Sequence, residues 1–149
     1  MLAAALSAVA LLPGLLTGPV ADVKEQTKIP VLLPSSLKSD EPKLYGSGGA
    51  DSKSYQLSVS TVEDCGANAC SLAFFSAYKG QKLYGTRKAT LANGVHGRYL
   101  PLSCGGSCSP PSIQWIRKGV LYEIQMDFEK HPRAELVKMA NSAIRQGPR

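Results

Sequence analysis

The sequence lacks the short motifs that mark most catalytic and cofactor-binding sites. It contains no Gly-x-Ser-x-Gly elbow and no His-Glu-x-x-His pair, and no Lys-Ser or Lys-Thr follows Gly46-Ser-Gly-Gly49 to make a phosphate loop. The two histidines, His96 and His131, have no spacing typical of metal ligands. The few acidic residues fall at expected turns or solvent-facing strand positions, which disfavours a pair of catalytic carboxylates. We therefore predict neither a cofactor nor a bound metal.

Charge is missing from the first 21 residues, and every charged side chain lies at Asp22 or beyond. Residues 2–12 resemble the apolar centre of a signal peptide, although no basic residue precedes them. Pro13-Gly14 interrupts the apolar run, whereas a membrane-spanning helix needs about 20 uninterrupted apolar residues. No Cys follows the run, which argues against a lipid anchor. We expect residues 1–21 to be a signal peptide cleaved at or before Ala21, with an uncleaved membrane anchor and a buried helix as open alternatives.

Charged residues are scarce, at 19% of the 149 residues, while apolar residues reach 44%. This composition suffices for the core of one domain and disfavours global disorder. Lys and Arg outnumber Asp and Glu by 17 to 11, which gives a formal net charge of +6. A basic balance favours anionic partners such as envelope polymers or lipid headgroups. Because the charges are scattered and form no long run, we interpret them first as a solvated surface.

Cysteine is also scarce, and its four copies form two local pairs, Cys65 with Cys70 and Cys104 with Cys108. Neither pair is a Cys-x-x-Cys motif, so a thioredoxin-like redox role has little support. An even number of cysteines in a small exported chain is typical of disulfides, and the glycines in both loops allow tight local bridges. We predict these two local disulfides, while crossed pairings and a four-cysteine zinc site stay open as alternatives.

The region between residues 22 and 53 is mostly polar and rich in turn-forming residues. We expect residues 22–28 to be a linker, and residues 35–53, with Gly46-Ser-Gly-Gly49 at their centre, to be a mobile loop. Between them, Ile29-Pro-Val-Leu-Leu-Pro34 is apolar, but its two prolines exclude a central strand. The sequence predicts an extended segment there, able to add an edge strand at 29–34 to the domain that follows.

Alternating apolar and polar residues indicate that strands dominate the chain from residue 54 onward. We predict strands at 55–60, 70–78, 86–91, 95–100, 113–115 and 122–128, with turns at Asn93-Gly94 and Lys118-Gly119. Pro132, Gly147 and apolar residues at helical spacing between them predict a closing amphipathic helix. The expected fold of residues 54–149 is α+β, with an antiparallel, meander-like sheet and the C-terminal helix packed on one face.

One weak candidate for a binding site interleaves aromatic and basic residues, a pattern that binds sugars, anionic polymers or single-stranded nucleic acid. Its members are Tyr78, Lys79, Lys82, Tyr84, Arg87 and Lys88. The simpler interpretation is a solvated loop between two strands, whose lysines keep sheet edges from associating.

Several segments together resemble a family of small, uncharacterised exported bacterial domains that is common in cyanobacteria. The segments are Ile29-Pro-Val-Leu-Leu-Pro-Ser35, Cys65-Gly-Ala-Asn-Ala-Cys70, Cys104-Gly-Gly-Ser-Cys108, Ile113-Gln-Trp115, Gly119-Val-Leu-Tyr-Glu-Ile124 and Glu135-Leu-Val-Lys-Met-Ala-Asn-Ser142. The last three are also similar to extracytoplasmic domains attached to some sporulation and anti-sigma proteins. The resemblance covers most of the chain from Ile29 on, implies an exported domain of this fold, and transfers no catalytic residue.

The missing catalytic motifs and the disulfide-braced sheet favour a non-catalytic binding domain that is secreted or periplasmic. Its expected partner is an envelope protein, a glycan or an anionic surface. Export argues against nucleic acid, and membrane contact would be limited to residues 1–21. Two alternatives stay open. A small secreted hydrolase needs His96 or His131 within hydrogen-bond reach of a Ser or Asp, and a zinc module needs all four cysteines at one point.

Overall fold

The computed structural model describes residues 8–149 and shows the α+β fold that the sequence predicts. A seven-stranded antiparallel sheet forms one layer, and helices with an extended segment form the other. The first seven residues, which belong to the predicted signal peptide, lie outside the described residues. No helix among the described residues is long and apolar enough to cross a membrane.

Strands are more numerous than helices in the described chain. The strands are β1 (Ala8–Leu11), β2 (Ser36–Ser39), β3 (Tyr45–Ala50), β4 (Ser54–Ser60), β5 (Ser71–Lys79), β6 (Arg87–Thr90), β7 (His96–Leu100), β8 (Ser103–Cys104), β9 (Cys108–Ser109), β10 (Ser112–Arg117) and β11 (Val120–Met126). The helices are α1 (Leu12–Leu15), α2 (Thr17–Gln26) and α3 (Pro132–Gln146), and short 3-10 turns lie at Asn68–Cys70 and Ala92–Gly94.

The large sheet has the strand order β3-β4-β5-β11-β10-β7-β6, and all its neighbouring strands are antiparallel. Both predicted hairpins are confirmed. Asn93 and Gly94 turn with φ of 57° and 71°, and Lys118 and Gly119 turn with φ of 49° and 76°. The order departs from a meander at one connection, since three strands separate β5 from β6. The residues that join them, 80–86, must therefore cross the sheet, and we call them the crossing loop.

The two faces of the sheet differ because successive side chains along a strand point to opposite sides. The core face carries the apolar set, which includes Tyr55, Phe75, Trp115, Tyr122 and Ile124, all nearly inaccessible to solvent. Trp115 and Tyr122 are paired in register and stack with ring centroids 5.7 Å apart. All helices pack on this side. The other side, which we call the open face, carries the polar alternate residues, and no helix within residues 8–149 covers it.

The C-terminal helix α3 confirms the amphipathic helix that the sequence predicts. Leu136, Met139, Ala140 and Ala143 are its buried residues, and they pack toward β10 and β11 on the core face. The helix begins directly at Pro132 and ends before a residue with positive φ, Gly147 at 70°.

The N-terminal segment packs onto the edge of the sheet, where Leu12, Leu16 and Val23 are fully buried. The linker predicted for residues 22–28 is wrong, because α2 extends to Gln26 and its Val23 side chain is anchored in the core. This arrangement is the one that the buried-helix alternative describes for residues 1–21. Cleavage at Ala21 stays a prediction, and it would cut α2 and remove Leu12 and Leu16 from the core.

The mobile loop predicted for residues 35–53 is also wrong, because the segment contains β2 and the edge strand β3. Glycines there permit close packing. A Cβ atom on Gly46 would lie 2.7 Å from the carbonyl oxygen of Leu15 and equally close to the Leu16 side chain. Composition alone indicates flexibility, but the close approach of the N-terminal segment to β3 is what requires glycine at position 46.

Residues 29–34 form no edge strand, which corrects the second expectation for this region. They run extended and buried across the core face instead. The Tyr122 hydroxyl donates to the Pro30 carbonyl at 2.7 Å, and the Leu32 amide donates to the Tyr55 hydroxyl at 3.2 Å. The tyrosines of the sheet thus supply the hydrogen bonds that a neighbouring strand would otherwise give.

Candidate functional site

The four cysteines form the two predicted local disulfides, Cys65–Cys70 and Cys104–Cys108. Their Cα atoms are 5.9 Å and 4.0 Å apart, respectively. The crossed pairings are therefore wrong, and no thiol is left for the zinc site. The first bridge closes the loop that precedes β5, and the second closes the exposed β8–β9 hairpin. Both cysteine pairs are consequently part of the scaffold.

The interleaved aromatic and basic residues predicted as a binding patch divide between two faces of the molecule. Tyr78, Tyr84 and Lys88 lie on the open face or above it, whereas Lys79 ends β5 with its side chain on the core-face side, in register with the buried Val120. Lys82 is an exposed residue of the crossing loop. Arg87 points away from them, into a cleft of about 460 Å³ beside Tyr99, His131 and Arg133.

The crossing loop lies flat against the open face, above β10 and β7. It starts at Gly80, whose φ of 76° requires glycine and whose amide donates to the Gly119 carbonyl at 2.8 Å. Near its end, a Cβ atom on Gly85 would lie 2.6 Å from Cβ of Arg98. Glycine at these two positions allows the chain to turn onto the sheet and to touch it.

Gln114 holds the loop in this position from below. Its side chain is completely buried, and its Oε1 atom accepts hydrogen bonds from the amides of Tyr84 at 3.3 Å and Gly85 at 3.2 Å. Its Nε2 atom donates to Glu123 on the neighbouring strand. One amide side chain therefore links the loop backbone to the sheet with all its contacts satisfied from within the protein.

Glu123 is the second anchor of the loop. Its Oε2 atom accepts hydrogen bonds from the Tyr84 hydroxyl at 2.7 Å, from Ser112 Oγ at 3.3 Å and from Gln114. Burial, together with the hydrogen bond to this carboxylate, raises the pKa of the Tyr84 hydroxyl well above its ordinary value. The hydroxyl therefore stays protonated and remains a hydrogen-bond donor. The hydrogen bond fixes the Tyr84 side chain over the sheet, although this residue is still 58% exposed.

The two anchors belong to a row of hydrogen-bonding side chains that crosses six strands in register on the open face. The row comprises Gln56, Ser76, Glu123, Gln114, Arg98 and Lys88, on β4, β5, β11, β10, β7 and β6. Its centre is covered by the crossing loop, and its outer members, Gln56 and Lys88, are exposed. Phe74, Tyr78 and the exposed Ile116 flank the row on neighbouring positions of the same face. We call this set the polar row.

No protein-family model matches the chain, and neither a curated protein nor a solved structure matches it significantly. The arrangement of side chains on the open face is therefore the basis for any functional argument.

In the described part of the chain, neither histidine that the hydrolase alternative requires takes part in the hydrogen bonds of Gln114 and Glu123. His96 is exposed at the start of β7, and His131 precedes α3 with a φ of 53°. Within residues 8–149, neither histidine forms a hydrogen bond to a Ser hydroxyl or a pair with an Asp or Glu carboxylate. The described residues thus contain no pairing of His96 or His131 with the Ser or Asp that the hydrolase alternative requires.

Sequence reasoning found Tyr78, Tyr84 and Lys88 but missed Gln114, Glu123 and Arg98. The alternation along β10 and β11 already places Gln114 and Glu123 on polar positions. The alternation does not predict the strand order. That order brings Gln114 and Glu123 under the crossing loop, which lies some 30 to 40 residues earlier in the chain.

Proposed function

We propose that this protein is a non-catalytic binding domain of the cell envelope or extracellular space, and that its open face binds a glycan chain. The observation that carries the proposal is the accessible part of the polar row, Gln56, Arg98 and Lys88, with aromatic rings beside it on the sheet face that no helix of the described residues covers. Hydrolase chemistry has no comparable support among the described residues. The resemblance to exported bacterial domains is consistent with this proposal, and it rests on the sequence alone.

The chemistry of the open face suits a sugar polymer. Tyrosine presents a flat apolar ring with a polar rim, which matches the alternating apolar and hydroxylated surfaces of a pyranose. Gln56, Arg98 and Lys88, the members of the polar row that the crossing loop leaves accessible, offer amide, guanidinium and ammonium groups to sugar hydroxyls. Sheet faces bind oligosaccharides in other small β domains, where the ligand lies across the strands.

The disulfides support a location outside the cytoplasm. Small domains use such bridges in oxidising compartments, whereas cytosolic reductants keep most thiols free. The two disulfides of this protein close short loops at the surface. An extracytoplasmic location is also where glycan polymers are abundant, so location and ligand are consistent with each other.

Affinity electrophoresis through gels that contain single polysaccharides tests the proposal. We expect one or more neutral or charged glycans to retard the protein. Tyr84→Ala should weaken binding by about 1 kcal/mol, roughly fivefold, because the exposed ring is lost. Tyr84→Phe keeps the ring, and we expect it to retain most of the affinity. Free migration of the wild-type protein in every gel would contradict the proposed function.

A further inference from the structure

We propose that the glycan bound by the open face is negatively charged, and that it is held by the lysines and the arginine that surround the crossing loop. This inference rests on the proposed function and specifies its ligand. The residues are Lys82, Lys88, Arg98 and Lys118, which we call the cationic rim.

The first support is the distribution of charge along the chain. Between Asp64 and Glu123 there are seven Lys or Arg residues and not one Asp or Glu. The rest of the chain has ten basic and eleven acidic residues, so this stretch accounts for the whole positive charge of the protein. The seven cations form no continuous run in the sequence, because they are spread over the 40 positions from Lys79 to Lys118.

The fold gathers these scattered cations. Lys88 and Arg98 are paired in register on β6 and β7. Lys118 lies in the turn before β11, and the neighbouring Gly119 carbonyl accepts a hydrogen bond from the Gly80 amide at the start of the crossing loop. Lys82 lies on the crossing loop, which runs from Lys118 toward Lys88 and Arg98. The four cations thus lie along the crossing loop, which carries the exposed Tyr84.

These cations are free to bind a ligand. Among residues 8–149 the ion pairs join Glu135 to Lys38 and to Lys138, and no member of the cationic rim has a carboxylate within pairing distance. The carboxylate on this part of the open face, Glu123, already accepts three hydrogen bonds on Oε2. Asp51, in the turn before β4, is bound to the amides of Lys53 and Ser54.

The spacing of the cationic rim favours a polymer over a small anion. Lys118 lies four residues along the strand direction from the level of Gln114 and Lys88, and two strand intervals from β6, a separation of about 16 Å for a rise of about 3.3 Å per residue and strands spaced about 4.8 Å apart. One phosphate or carboxylate reaches only part of that span. A chain with a charge on successive sugars reaches both sides of Tyr84, and charge complementarity of this kind also accelerates encounter.

The experiment compares two polymers with the same backbone, carboxymethyl cellulose and the neutral hydroxyethyl cellulose. We expect the full chain, with its disulfides formed, to bind the charged polymer at least about tenfold more tightly at low salt, and to lose this preference at high salt. The double variant Lys82→Ala/Lys88→Ala should lower affinity for the charged polymer about tenfold. Lys24→Ala/Lys138→Ala makes the same change in net charge on the helical side, and we expect it to bind almost as the wild type does.

The outcomes separate the two proposals. Equal binding to both polymers overturns the inference about charge and leaves the glycan-binding function standing. Equal losses in the two double variants also overturn it, since net charge and not the cationic rim would then explain binding. Tighter binding to vesicles of anionic phospholipid than to the charged polymer would replace the glycan with a membrane surface. Failure to bind these polymers or any glycan in the gel series would contradict the proposed function itself.

Discussion

Gln114 is the residue on which the position of the crossing loop depends. It has no solvent-accessible surface, and it satisfies two loop amides while its own Nε2 atom is bound to Glu123. Removing a buried partner leaves the groups that it satisfied without hydrogen bonds, and each such group costs about 1–3 kcal/mol.

We expect Gln114→Ala to destabilise the protein by about 2–4 kcal/mol in urea unfolding, since two loop amides lose their acceptor and a cavity forms. Amide hydrogen exchange should accelerate at Tyr84 and Gly85 before the sheet is affected. Gln56→Ala removes an exposed glutamine from the same polar row and should change stability by less than about 0.5 kcal/mol. Similar losses in both variants would show that Gln114 does not hold the loop.

At the scale of elements, α1 shows most clearly how the N-terminal segment belongs to the domain. Its first residue, Leu12, is fully buried, whereas the preceding residue, Leu11, is 70% exposed. The two leucines therefore form a matched pair with the same chemistry and opposite environments.

Leu12→Ala should lower the free energy of unfolding by about 2–5 kcal/mol, because a fully buried leucine leaves a cavity when truncated. Leu11→Ala should change it by less than about 0.5 kcal/mol. Urea unfolding of both variants checks this, and equal effects would contradict the burial of the segment. An intact mass of the protein from its host would then decide whether Leu12 is retained, since cleavage at Ala21 removes it.

Local signals explain which elements could be predicted from the sequence. Turns with positive φ at Asn93-Gly94 and Lys118-Gly119 depend on adjacent residues alone, as does the helix that starts at Pro132. The strand β3 could not be predicted, because its glycines suggest a loop and the contact that requires Gly46, with Leu15 of α1, comes from a distant part of the chain. The polar row was inaccessible for a related reason, since it requires a strand order in which β5 is followed in space by β11.

At the scale of the whole molecule, the two disulfides close small loops, and neither of them joins two strands of the large sheet. The chain-entropy description gives about 2 kcal/mol for each loop of this size. Cys104–Cys108 lies in a hairpin whose residues from Pro101 to Ser109 are all exposed, while Cys70 also bonds through its carbonyl to the Thr61 amide.

We expect the variant Cys104→Ser/Cys108→Ser to lower the free energy of unfolding by about 2 kcal/mol at most. Cys65→Ser/Cys70→Ser should lower it more, because the Cys65–Cys70 bridge fixes the entry to β5. Urea midpoints with and without a reductant measure both effects. Collapse of the sheet on reduction of the exposed pair would show that the disulfides carry more of the stability than the sheet does.

The crossing loop also has a consequence for the order in which the molecule assembles. Its two anchors, Gln114 and Glu123, are made about 30 and 40 residues after the loop itself. A chain synthesised from its amino end therefore presents the loop, with Lys82 and Tyr84, before anything exists to hold it. The β10–β11 hairpin must then insert beside β5 beneath a segment already present, which makes closing this loop one of the last steps of folding.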